Sequence, residues 1–71
     1  MRTKDDAIFA PLGGDTWMTE SGSKRTLLTR YYPEPYDRMI IPYKSFGALR
    51  QCSYRTFKAW ARKSKYLGVN A

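Results

Sequence analysis

Histidine is absent from this 71-residue chain and cysteine occurs once, at Cys52. The first absence excludes Ser-His-Asp and Cys-His arrangements and every zinc site that mixes His with Cys. The second excludes an internal disulfide and a thiolate metal cluster within one chain. Cys52 reads as a small buried apolar residue; exposed, its thiol would be acidified by nearby Arg50 and Arg55. The six carboxylates are scattered between Asp5 and Asp37, at no spacing that makes an acid–base pair or sets a base beside a nucleophile. Gly13-Gly14-Asp15-Thr16 lacks the Gly-Lys-Ser/Thr ending of a phosphate loop. No catalytic residue, metal site or cofactor is expected, and the chain does not read as an enzyme.

Basic residues are what remains. Thirteen Lys and Arg against six Asp and Glu give +7. Residues 1–37 carry five cations and six carboxylates, whereas residues 38–71 carry eight cations and no carboxylate. A half-chain of one sign repels itself and is most at home against a polyanion. Within it Arg55, Lys58, Arg62 and Lys65 recur at i, i+3, i+7 and i+10, with Lys63 at their flank. On a helix this spacing gives a row of cations roughly 15 Å long, comparable to several phosphate steps of a duplex strand. Tyr54, Phe57, Trp60, Ala61, Ser64 and Leu67 fall on the opposite arc and predict a core-facing side.

The elements that must hold this row follow from capping and punctuation. Ser53 is a candidate N-cap for a helix running to about Tyr66 and ended by Gly68. Ser45 can cap a shorter helix over Phe46–Gln51, with Phe46 and Leu49 three apart on one face; Gly47 weakens it by about 1 kcal/mol relative to alanine. Upstream, Thr16–Glu20 and Lys24–Tyr32 are β-like and flank Ser21-Gly22-Ser23, which reads as a hairpin loop. A helix capped by Ser23 and running through Thr26–Tyr31 is the competing reading, kept open by Leu27-Leu28. Pro33-Glu34-Pro35 interrupts the chain, and Met39-Ile40-Ile41, closed by Pro42, predicts an edge strand or an extended lead-in. Residues 1–15, with Pro11 and Gly13-Gly14, read as a tail and a turn around a short strand at 7–10. Seventy-one residues make one domain: tail and turn 1–15, a β-rich part 16–43, and a helix-turn-helix over 44–68.

Ser53-Tyr54-Arg55-Thr56-Phe57-Lys58-Ala59-Trp60-Ala61-Arg62 resembles the Ser-x-x-Thr-apolar-x-x-Trp-x-Arg pattern in the recognition helix of excisionase and MerR-type winged-helix DNA-binding proteins. The resemblance spans about 20 residues. It departs at Gln51-Cys52, where those families often have Gly-Val, and in a first helix poorer in alanine and leucine. It implies a small α+β, winged-helix-like domain with an N-terminal β-hairpin followed by a C-terminal helix-turn-helix. Tyr54, Arg55 and Lys58 would then approach bases or phosphates and Thr56 and Arg62 the backbone. Phe57 and Trp60 would be buried against Phe46, Leu49 and the hairpin.

The expected nucleic-acid-binding set is Lys44, Arg50, Tyr54, Arg55, Thr56, Lys58, Arg62, Lys63 and Lys65. The expected partner is double-stranded DNA, bound by a dimer or cooperative copies in a regulatory or architectural role of the kind small mobile-element proteins perform. The alternative is a non-enzymatic inhibitor or adaptor that docks its basic face on an acidic surface of a nucleic-acid-processing partner. Tyr31, Tyr32, Tyr36 and Tyr43, beside Arg30 and Arg38, read as packing or interface residues; stacking on RNA bases is a third possibility. The run Ala7–Ala10 is too short for a signal peptide or a membrane span, and with an unpaired cysteine this predicts a cytoplasmic protein.

Overall fold

The computed structural model describes residues 2–28 and 39–71. The distal part of the second β-like segment, the proline interruption and Tyr31, Tyr32 and Tyr36 lie outside them.

The first element is a helix, α1 (Lys4–Phe9), where a strand at 7–10 was expected. Its start is a capping box: the Thr3 hydroxyl accepts from the Asp6 N–H at 3.2 Å, and the Asp6 carboxylate accepts from the Thr3 N–H at 3.1 Å. Asp5 and Asp6 also suit the positive end of the helix dipole. Pro11 follows the cap residue Ala10 and stops it.

Strands β1 (Asp15–Met18) and β2 (Lys24–Leu27) form the expected hairpin, pairing Thr16 with Thr26, Trp17 with Arg25 and Met18 with Lys24. The loop closes through Thr19, whose carbonyl accepts from the Gly22 N–H and whose hydroxyl accepts from the Ser23 N–H. Strand β3 (Ile40–Ser45) lies between β2 and β4 (Ala48–Ser53) and is an interior strand, not the edge strand its proline predicted. Pro42 is tolerated because the Leu28 N–H donates to its carbonyl where β2 ends, so its ring nitrogen faces past the last β2 pair.

The stretch expected as a first helix, Phe46–Gln51, is the turn and outgoing strand of the β3–β4 hairpin. The helix-turn-helix over 44–68 is therefore not formed, and the winged-helix-like fold is overturned. Residues 41–45 bury every second side chain, Ile41, Tyr43 and Ser45, which is a strand period. Phe46 and Gly47 both take positive φ, 52° and 77°, as a two-residue turn between twisted strands requires and a helix forbids. Cys52, expected between two helices, sits half-buried on β4 opposite Ile41.

The second helix, α2 (Tyr54–Arg62), starts as expected, with the Ser53 hydroxyl accepting from the Thr56 N–H at 3.2 Å. It ends four residues before Tyr66. The Ser64 hydroxyl donates to the Trp60 carbonyl at 2.6 Å, and the chain turns into β5 (Lys65–Val69). Gly68, expected as the helix stop, is in that strand at φ 107°. Strand β5 pairs with β1, Trp17 opposite Tyr66 and Thr16 opposite Gly68, so Leu67 is an extra bulged residue.

The result is one antiparallel five-stranded sheet in the order β4-β3-β2-β1-β5, with its core on the side of α1 and α2. Trp17 is fully buried at the core's centre, its ring centroid 5.8 Å from Phe57, 6.2 Å from Trp60 and 4.9 Å from Tyr66. Phe57 is fully buried as expected and Trp60 partly so. Their partners differ from the expectation, because Phe46 and Leu49 are 84% and 75% exposed. Asp15 is buried beside this cluster. Its carboxylate accepts from Arg2, the Leu12 N–H and the Tyr66 hydroxyl, which ties the chain's start to β5. Burial and the bond to Asp15 push the Tyr66 phenol above its ordinary pKa. No helix among the described residues is long and apolar enough to cross a membrane.

Candidate functional site

Nine residues were expected to form one nucleic-acid surface, and the fold divides them. Helix α2 packs Tyr54, Phe57 and Ala61 inward, which turns Arg55, Thr56, Ala59, Arg62 and Lys63 outward, all exposed. Arg55 and Arg62 are two turns apart, about 10 Å along the axis, and Ala59 leaves a low point between them. Lys58 stands half-buried at the flank, its ammonium 4.9 Å from the centre of the Tyr54 ring. The Thr56 hydroxyl accepts from that of Ser53 and belongs to the helix cap. Tyr54, expected near bases, is buried, and its hydroxyl donates to the Ile8 carbonyl at 2.7 Å, so it joins α2 to α1.

Arg50 is exposed on edge strand β4; its pairing with Tyr43 puts it on the side of the sheet that carries the helices. Lys44 and Lys65 are exposed on the opposite side. Lys65 and Lys24 flank Met18 in one cross-strand row, and Lys44 pairs with Thr26. The cations thus fall on two surfaces: the outward stripe of α2, and, on the other face, a lysine patch of Lys44 and Lys65 from the basic half-chain with Lys24 from the first half. The one ion pair among the described residues is Arg2–Asp15 at 2.8 Å, so no cation of either surface is ion-paired to a carboxylate of the described residues.

Arg25 is a residue that sequence reasoning passed over. It sits on the helix side of β2, its guanidinium carbon 4.8 Å from the Trp60 ring centre and 5.2 Å from that of Tyr43. Its Nε is buried without a hydrogen-bond partner. The open cleft beside it, about 230 Å³, is lined by Thr19, Glu20, Ser21, Lys63 and Ser64 as well as Trp60. Only the sheet register could have found it, since pairing with Trp17 is what points Arg25 inward. The Cys52 thiol behind this cluster is pushed up by burial, against a smaller opposing effect of the Arg25 charge.

Between α1 and α2 runs a groove of about 510 Å³ lined by Asp5, Ile8, Phe9, Tyr54, Lys58 and Arg62. Phe9 is 75% exposed at its rim. Comparison with family models, with curated proteins and with solved structures gave no match.

Proposed function

We propose that this protein binds nucleic acid, with duplex DNA as the partner and the outward stripe of α2 as the contact. The observation that carries this reading is the exposed pair Arg55 and Arg62 on the outward face of α2, with Lys63 at its C-cap, none of them ion-paired among the described residues, in a half-chain without a carboxylate. Guanidinium and ammonium groups spaced over about 10 Å fit successive phosphates, and Ala59 lets the helix backbone approach them. Without a helix-turn-helix, none of the described elements is set to carry α2 deep into a major groove. The reading is therefore backbone-directed binding, architectural rather than sequence-selective. It is tested by fluorescence anisotropy on a labelled duplex. Reversing Arg55 and Arg62 to Glu should abolish binding at low salt while the circular dichroism spectrum is kept; full binding by the folded double variant would defeat it.

A second reading, docking on an acidic protein, is favoured by the α1–α2 groove, where exposed Phe9 adjoins Lys58 and Arg62. An apolar anchor beside cations suits a protein interface. Loss of partner binding in Phe9→Ala, with DNA binding intact, is its distinguishing signature.

A further inference from the structure

Phe46 is the most exposed large apolar side chain among the described residues, and it holds an unfavourable backbone conformation. It takes the first position of the β3–β4 turn at φ 52°, with Gly47 following at 77°. Turns of this handedness favour Asn or Asp before Gly, because those side chains tolerate the left-handed region and a bulky one does not. A phenylalanine here strains the turn and packs nothing beneath it. Backbone strain kept without a structural return points to a function at that position.

The surroundings of Phe46 say what that function is. Arg25 pairs with Ser45, which brings Lys24 abreast of Phe46 on the neighbouring strand. Phe46 forms one wall of a groove of about 370 Å³ whose other lining residues are Gly22, Lys24, Thr26, Lys44 and Gly47. Two cations stand in it and no carboxylate does. The glycines open it further, since beyond their own chain neighbours no atom lies within 4 Å of where a Cβ would stand at Gly22 or Gly47. The groove is on the face away from α2.

We infer that this groove seats an unpaired nucleotide of a single-stranded nucleic acid, its base stacked on the Phe46 ring and its flanking phosphates held by Lys24 and Lys44. The aromatic ring offers a face to any base, and the two ammonium groups match the backbone on either side of it. This rests on the nucleic-acid reading above and extends it from duplex to unpaired strands at a separate surface.

The experiment compares the full chain with Phe46→Asn and Phe46→Trp. Each is titrated against a labelled oligothymidylate, the corresponding ribo-oligomer and a duplex at one ionic strength. Phe46→Asn creates the favoured Asn-Gly turn, so it should melt at a higher temperature than the parent while losing roughly tenfold in single-strand affinity. Its duplex affinity should be unchanged. Phe46→Trp should keep single-strand binding and show tryptophan fluorescence quenching on titration. The ribose and deoxyribose strands tell which sugar the groove accepts. Unchanged single-strand affinity in Phe46→Asn overturns the inference and leaves the α2 reading standing. Equal losses on single strand and duplex also overturn it, by making Phe46 part of one common surface. A parent that binds no nucleic acid at low salt defeats both readings together. Self-association of the parent that Phe46→Asn abolishes contradicts the inference too, by assigning the groove to a second copy.

Discussion

Ser45 and Ser53 each stand directly before an aromatic residue, yet Ser53 caps a helix while Ser45 ends a strand. After Ser53 the chain places Phe57 and Ala61 at helical spacing, and both are fully buried against the sheet. After Ser45 the apolar spacing ends at Leu49, and Gly47 stands inside the first turn. Six residues with a glycine fall below the length at which a helix sustains itself without packing. The strand period of residues 41–45 meanwhile runs straight into the turn, so the hairpin wins. A serine before an aromatic is thus a capping signal only when burial of a helical face follows it.

Substitutions in the two stretches test this difference, and the buried face of α2 carries the most. Phe57→Ala should cost about 3–5 kcal/mol, because it empties the space between Trp17, Tyr54 and Trp60. In a domain this small, loss of a cooperative thermal transition is the expected readout. A mutant that melts like the parent would mean that α2 is not held by its inward face. Gly47→Ala should cost roughly 1–2 kcal/mol, from the left-handed backbone alone, since the space for a Cβ is open. A stabilising effect in urea unfolding would instead favour the helix that the sequence predicts there. Ser53→Ala should cost about 1 kcal/mol by removing the acceptor for the Thr56 N–H. Leu49→Ala should change stability by less than about 0.5 kcal/mol, as an exposed side chain on edge strand β4 does. A larger loss would show that the hairpin face is covered.

The same physics explains what could be read from the residues and what could not. The β1–β2 hairpin was legible because its signals are local: strand-favouring residues around a Ser-Gly-Ser loop. So was the start of α2, where the cap and the buried face lie within nine residues. The helix α1 was equally legible in Thr3-x-x-Asp6, but the apolar run Ala7–Ala10 before Pro11 draws attention to a strand. Strand β5 was not legible. Leu67 continues the helical arc of Tyr54, Phe57, Trp60, Ala61 and Ser64, and only pairing with β1, about 50 residues earlier, takes Tyr66 out of the helix. That pairing places Tyr66 on Trp17 and Asp15, a reward invisible to local periodicity. The candidate site suffered the same way. Of the row expected on one helix, Arg55 and Arg62 share the outward face of α2, Lys58 turns to its flank over Tyr54, and strand pairing sends Lys44 and Lys65 to the far side and adds Lys24 to them.

In the proposed function α2, and not the opposite face, meets the phosphates of duplex DNA. The most direct test is the dependence of duplex affinity on salt, measured for the parent and for two variants. In one, Arg55, Arg62 and Lys63 are changed to Gln; in the other, Lys24, Lys44 and Lys65 are. Each phosphate contact contributes about 0.9 to the slope of log affinity against log salt. The α2 variant should lose between two and three contacts' worth of slope, about 1.8–2.7, while the lysine-patch variant should keep the parent's slope. An unchanged slope in the α2 variant, or an equal loss in both, would contradict the proposed function.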